Sequence, residues 1–404
     1  VTQVGAELSA PPESSPPPAP PRRDPAPRVR LPGVDLIRTI AALAVIYSHI
    51  SYFLIDDRGT GWWLIDVVYQ IFVRFGQVNQ HLSFLGVGMF MVVTGALITG
   101  SAVRENPRTF LIKRMVRLLP LLWVAIACAI VLVRLHINGM FSPQPGISNA
   151  QAALSFVLGG FFFKPQVAVL GVTWTLLAQI AFYLYCTAVR PLLRTRPIVS
   201  PILGAAICAV ILVYNHFVPE VASVPVLSKI ATTMPVIFLG QVIYLQWTKL
   251  ASRPWLAIAA VAQFAVVWFA GLMGDYWGGD RYLQTMLFAV VCVLLLIRRD
   301  GPIARSRFVY WVGTRSYAIY LFHTLTLYRI YNETVQFLTP TGSIILFLIV
   351  TAAVSEIGYR WIEVPASRWL SARLLSARSN TKPARSMAPC PGTAKSSAES
   401  APNR

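Results

Sequence analysis

Charge is scarce in this chain. Only 13% of its 404 residues are Asp, Glu, Lys or Arg, about half the share carried by a soluble globular domain. Too little polar surface is left to wet a soluble fold, while 55% of the residues are hydrophobic. Acidic residues are the scarcer sign, 16 against 35 Lys and Arg, for a net charge of +19. Cysteine is sparse too. The five present, Cys128, Cys186, Cys208, Cys292 and Cys390, form no C-x-x-C pair and have no spacing suited to zinc, so neither a thiolate metal site nor a disulfide framework is expected. No G-x-S-x-G, P-loop or H-E-x-x-H sequence occurs, which removes the motif basis for a soluble hydrolase, an NTPase or a zinc protease.

What is present is apolar and gathered into blocks of roughly 17 to 22 residues, long enough to cross a hydrocarbon core. Uniformly apolar blocks differ from the amphipathic stripes of a soluble helical core. The expected fold is all-α: a polytopic transmembrane bundle of about ten spans, near 35–55, 84–103, 116–136, 171–189, 198–217, 230–247, 255–273, 281–298, 310–330 and 342–361. Two further apolar stretches, 62–75 and 150–163, are short or interrupted by charge and read as interfacial or re-entrant pieces; 150–163 is the one that would make an eleventh span. Residues 1–31 are Pro-rich, polar and free of aromatics, and residues 372–404 are basic and polar. Both read as disordered cytoplasmic tails flanking a membrane domain over 32–371.

The basic residues set the orientation. With the N-terminus inside and the ten spans alternating, Arg58, Arg74, Arg134, Lys164, Lys229, Arg281 and Arg329 fall outside, and the other 28 of the 35 Lys and Arg fall inside. That bias matches the positive-inside rule and places both termini in the cytoplasm of an inner (plasma) membrane protein. The same placement explains the net charge through the bilayer and its headgroups, with no nucleic-acid partner.

Polar groups within spans are costly and mark function. His49 lies in the first expected span, Gln179 in the fourth, His323 in the ninth and Glu356 in the tenth, while Arg38, Arg114, Arg117 and Arg315 sit near cytoplasmic helix ends. Arg38 and His49 are eleven residues apart, close to three helical turns, so they share a face at a separation of roughly 16 Å. A neutral imidazole can take a hydroxyl proton, and guanidinium groups suit phosphate. The combination points to an anionic donor entering from the cytoplasm and an acceptor deprotonated midway across. The bland alternatives are a histidine bonded to a backbone carbonyl and arginines that serve only topology.

The same residues carry a resemblance. "VDLIRTIAALAVIYSH", "LGVGMFMVVTGALITGS", "FLIKRMVRLLPLLWV", "VTWTLLAQIAFYLYC", "GTRSYAIYLFHTLTL" and "WIEVPASRWL", in this order from Val34 to about Trp369, resemble the motifs of the acyltransferase 3 family of bacterial integral-membrane O-acyltransferases. The resemblance implies transfer of an acyl group, with acetyl the expected one, from cytoplasmic acyl-CoA to a hydroxyl of a cell-envelope glycolipid or polysaccharide on the outer side, with envelope-export machinery as a further partner and no metal. It implies catalytic roles for His49 and His323, CoA binding by Arg38, Arg114 and Arg117, and site-wall positions for Asp35, Trp174, Gln179, Tyr183, Ser316 and Tyr317. Gln179 stands where the family usually has Glu, and Thr94 and Thr175 replace serines. The competing function is a transporter or flippase of a lipid-linked saccharide, which would also use intramembrane histidines and basic helix ends.

Overall fold

A computed structural model describes residues 31–137, 146–164, 166–274 and 281–376. Residues 1–30 and 377–404, the bulk of the two expected tails, lie outside them, as does Cys390. Among the described residues the regular structure is helical, with no strand. We label the ten main helices α1 (Pro32–Tyr52), α2 (Leu85–Arg104), α3 (Pro107–Arg134), α4 (Trp174–Ala188), α5 (Val199–Phe217), α6 (Pro225–Trp247), α7 (Arg253–Leu272), α8 (Tyr282–Leu296), α9 (Arg307–Thr334) and α10 (Pro340–Ile357).

Seven helical segments are long and apolar enough to cross a membrane: Pro32–Asp57, Gln80–Arg104, Pro107–Arg134, Val199–Phe217, Val226–Trp247, Arg253–Leu272 and Pro340–Leu375. The other three expected spans are helices that fail one criterion. α4 and α8 have 15 residues each, roughly 22 Å, short of a core about 30 Å thick. α9 has 28 residues but carries Arg315, His323, Arg329, Asn332 and Glu333. Length and hydropathy therefore single out seven segments and do not confirm a count of ten.

The stretch expected near 150–163 is no span. Its helix, Asn149–Phe156, has eight residues, roughly 12 Å, and ends where Leu158 turns left-handed at φ 57°. Ser148 and Gln151 close a reciprocal cap at its start, the Gln151 N–H donating to Ser148 Oγ at 3.2 Å and the Ser148 N–H to Gln151 Oε1 at 3.0 Å. The 62–75 stretch folds into Trp63–Val68 and the widened turn Tyr69–Phe75. Its Trp63, Val67, Tyr69, Ile71 and Phe75 are exposed, as an interfacial piece requires.

Two boundaries move. α3 begins at Pro107 and not near 116, because Asn106 caps it, its Oδ1 accepting from Arg108 N at 3.2 Å, and Pro107 occupies the first turn where no N–H is needed. The chain after Glu363 remains helical over Val364–Ser376, five residues into the segment expected as tail.

α2 and α6 form the centre of the bundle and make its most extensive helix contact. The approach depends on two glycines. A Cβ on Gly95 would sit 1.9 Å from the Ile237 carbonyl oxygen, and one on Gly240 would sit 2.0 Å from that of Val92, so backbone meets backbone there. α1 packs between α2 and α9, and α9 packs on α10. The start of α1 is tied to α9 by Thr39 Oγ1, which donates to the Val309 carbonyl at 3.1 Å.

Candidate active site

A cavity of about 590 Å³ opens among α1, α2, α3, α4 and α9. Arg38, Arg104, Arg114 and Arg117 are in its lining, and among the described residues no Asp, Glu or Lys is. Val87 and Arg104 both border it, and their separation along α2 corresponds to roughly 26 Å, so the cavity follows most of that helix. One end holds Ser101 and the arginines; the other holds Phe90, Thr175 and Tyr320.

Local structure explains how the arginines converge. Arg114 and Arg117 are one turn apart on the early, polar part of α3, so they share a face. Arg38 comes from the first turns of α1. Arg104 ends α2, whose last carbonyls are capped by another helix: Arg190 donates to the Ala102 and Glu105 carbonyls, and Arg194 to Val103. Among the described residues no carboxylate forms an ion pair with Arg38, Arg114 or Arg117. Arg114 lies over the Phe110 ring at 5.7 Å, with a buried Nε lacking a hydrogen bond. Charge of one sign, half-buried at Arg38 and Arg114 and without a direct ion pair, attracts an anion.

The far end is fixed by hydroxyls. Tyr320 Oη donates to the Val172 carbonyl at 2.7 Å and meets Thr175 Oγ1 at 2.7 Å. Toward the arginines, Tyr317 Oη donates to the Leu118 carbonyl at 2.8 Å, Ser316 Oγ to the Gly313 carbonyl at 3.0 Å, and Tyr183 Oη reaches Gln179 Oε1 at 3.5 Å.

The two histidines meet. His323 Nε2 lies 3.3 Å from His49 Nδ1, across the α1–α9 contact. Neither borders the cavity. They lie past Tyr320, whose ring centroid is 5.9 Å from that of His323. His323 is wholly buried; His49 is half-buried.

Arg38, Arg114, Arg117, Gln179, Tyr183, Ser316 and Tyr317 thus line one cavity, and His49 and His323 stand together at its end. Asp35 and Trp174 are elsewhere. Asp35 is buried in the first turn of α1, where a Cβ on Gly313 of α9 would come within 3.0 Å of it; it serves that helix contact. Trp174 packs beneath Lys229 of α6, whose Nζ is 4.7 Å from its ring. Arg315 and Glu356, singled out by their position in spans, pair with each other, and Glu356 also pairs with Arg360.

Three features escaped the sequence reading. Arg104 was hidden because a basic residue at a helix C-terminus reads as dipole compensation. Glu363 is buried, its Oε2 has no hydrogen-bond partner, and it lies within electrostatic reach of Arg117 and Arg38; the closing motif contains it, but its depth is a product of packing. The third is a chain of polar groups at the other end of α1. Ser51 Oγ meets His81 Nδ1 at 2.7 Å, and His81 Nε2 meets Asp56 Oδ2 at 3.2 Å. His81 adopts a left-handed φ of 61° to make both contacts, and nothing in its local sequence announces that.

A family model described as "Acyltransferase domain" matches residues 31–360. The chain is 23% identical to the O-acetyltransferase OatA of Staphylococcus aureus over 374 residues, covering 83% of this chain and 57% of that protein. It is 23% identical to the putative peptidoglycan O-acetyltransferase YrhL of Bacillus subtilis, covering 83% and 54%, and 28% identical over 167 residues to Nodulation protein 10 of Rhizobium leguminosarum bv. viciae, covering 37% and 41%. The chain spans little more than half the length of the two O-acetyltransferases it matches. No solved structure matches.

Proposed function

From the premise that the chain belongs to the acyltransferase family whose model it matches over residues 31–360, and is therefore an acyltransferase in the membrane, we propose that it moves an acetyl group from cytoplasmic acetyl-CoA to a hydroxyl of an envelope saccharide on the outer side. The observation that carries this reading is the arginine-lined cavity whose far end abuts the histidine pair. Arg38, Arg104, Arg114 and Arg117 hold the phosphates of the donor at the cytoplasmic mouth, and charge-assisted bonds to them supply affinity. The pantetheine arm follows α2 inward, past Leu97, Thr94 and Met91, and brings the thioester toward Phe90 and Tyr320.

The acceptor hydroxyl reaches His49 from the opposite side. His49 takes its proton as the oxygen attacks the thioester carbonyl; the C–S bond breaks, an ester forms, and the proton passes to the departing thiolate. No net charge crosses the bilayer, because the acetyl group moves outward as the hydroxyl hydrogen moves inward to the thiol. A saccharide acceptor of the peptidoglycan type fits the relatives' names, and a glycolipid hydroxyl fits the same geometry.

The test uses the full chain in liposomes with [¹⁴C]acetyl-CoA inside and N-acetylmuramyl oligosaccharides outside. Labelled ester on the saccharide is expected, and its loss by at least about 100-fold in His49→Ala with unchanged accumulation of the protein. Transfer undiminished in that variant rejects His49 as the base. Movement of saccharide with no covalent label identifies a carrier instead.

A further inference from the structure

The histidine pair has a direction, set by which nitrogen must carry hydrogen. His323 Nδ1 lies 2.8 Å from the Tyr320 carbonyl oxygen and 3.1 Å from that of Ile319. Carbonyl oxygens only accept, so Nδ1 of His323 is the N–H, and in the neutral ring Nε2 holds the lone pair. His49 Nδ1 lies 2.9 Å from the Val45 carbonyl oxygen and 3.3 Å from His323 Nε2. It too must be an N–H, shared between a carbonyl and an imine nitrogen. In the neutral ring, the lone pair of His49 is then on Nε2, the nitrogen turned away from His323. The rings meet edge-on, with centroids 4.7 Å apart and planes at 77°.

We propose that His323 is a positioning residue for acyl transfer: its Nε2 accepts the Nδ1 hydrogen of His49, anchors that ring to α9, and leaves the basic nitrogen of His49 directed at the acceptor. The proposal rests on the assignment of His49 as the base. Val45 belongs to the same helix as His49, so its carbonyl fixes the tautomer but travels with the ring. The bond to His323 is the one that crosses to another helix, and α9 is the helix that supplies Ser316, Tyr317 and Tyr320 to the cavity. When His49 takes the hydroxyl proton, both of its nitrogens carry hydrogen, and the bond to a neutral acceptor becomes charge-assisted and stronger. A buried neutral imidazole performs here what a carboxylate performs in other base-orienting pairs, without a second charge in the bilayer. His323 neither gains nor loses a proton in the cycle.

The experiment compares His323→Leu, which fills the space and offers no acceptor, with His323→Gln, whose amide oxygen can accept the same hydrogen. Both are made in the full chain with ¹⁵N-labelled histidine and assayed in the liposomes above. In the unaltered protein the His49 ring is expected to show a protonated Nδ1 and an unprotonated Nε2. His323→Leu should leave the tautomer, which the Val45 carbonyl holds, but shift and broaden the His49 Nδ1 signal as the ring loses its tie to α9, and lower kcat about 100-fold with the KM for acetyl-CoA within about twofold. His323→Gln should restore the signal and at least about a tenth of the rate. Equal rate losses in the two variants, or a His49 signal unmoved in His323→Leu, overturn the positioning role and leave His49 as base intact. Full transfer by His49→Ala overturns the base assignment and, with it, this proposal, even where the nitrogen signals respond to His323→Leu as stated.

Discussion

At the scale of single residues the cavity separates binding from chemistry. Arg114 and Arg117 offer guanidinium groups to an anion and stand far from the histidines, so truncating either should weaken donor binding and spare turnover. Arg117→Ala is expected to raise the KM for acetyl-CoA by about 10-fold to 100-fold, the equivalent of one lost hydrogen bond to a charged group, with kcat nearly unchanged. Arg117→Lys should recover only part, because an ammonium cannot make the paired bonds of a guanidinium. Initial rates across acetyl-CoA concentration check both; a fall in kcat at constant KM would place Arg117 with the reacting groups. Sequence alone picked out His49, His323 and the arginines of α1 and α3, because an ionisable group in an apolar run is visible without coordinates. It did not show Arg104 or Glu363, whose significance depends on what faces them. Asp35 and Trp174 carried the right motif position, yet packing uses them at the α1–α9 contact and beneath Lys229.

Individual helices and turns explain why these side chains stay in place. The α2–α6 crossing has room only for hydrogen at Gly95 and Gly240. Gly95→Val should therefore prevent the close approach, widen the bundle and abolish accumulation of folded protein, measured by detergent-solubilised monodisperse yield; near-normal yield and thermal midpoint would show that the crossing can open. At the other end of α1, the bonds from Ser51 through His81 to Asp56 hold a strained turn against the helix. His81→Ala leaves the buried Ser51 hydroxyl without that partner, which costs about 1–3 kcal/mol, while the exposed Asp56 turns to water, and the change should lower the thermal midpoint. His81→Asn is expected to do less harm, since Asn can make one of the two bonds and tolerates the left-handed backbone. Equal midpoints in all three proteins would show that the polar chain contributes no stability. Helix existence was legible from apolar runs, but helix ends were not. The polar start of α3 reads as loop by hydropathy, and only the cap at Asn106 and the first-turn Pro107 extend it to carry Arg114 and Arg117.

For the whole molecule, seven helical segments satisfy both length and hydropathy, while α4, α8 and α9 complete the bundle with shorter or more polar helices. Charge placement predicts an orientation that can be measured. A green fluorescent protein fused after Ser376 should fluoresce, and alkaline phosphatase inserted at Glu220, between α5 and α6, should be active; the reverse pattern would turn the arginine-lined mouth outward and separate it from any cytoplasmic donor. The sequence by itself determined that the chain is an all-helical membrane protein, that its family is an acyltransferase family, and which ionisable groups are candidates for chemistry, because solvation cost acts on each residue where it stands in the chain. Only the tertiary structure decided that four arginines share one cavity, that the two histidines touch with a defined direction of hydrogen bonding, and that a serine, a histidine and an aspartate meet near the opposite end of α1. Those facts depend on contacts between residues distant along the chain, set by how close two backbones can approach, and one-dimensional patterning carries no record of that distance.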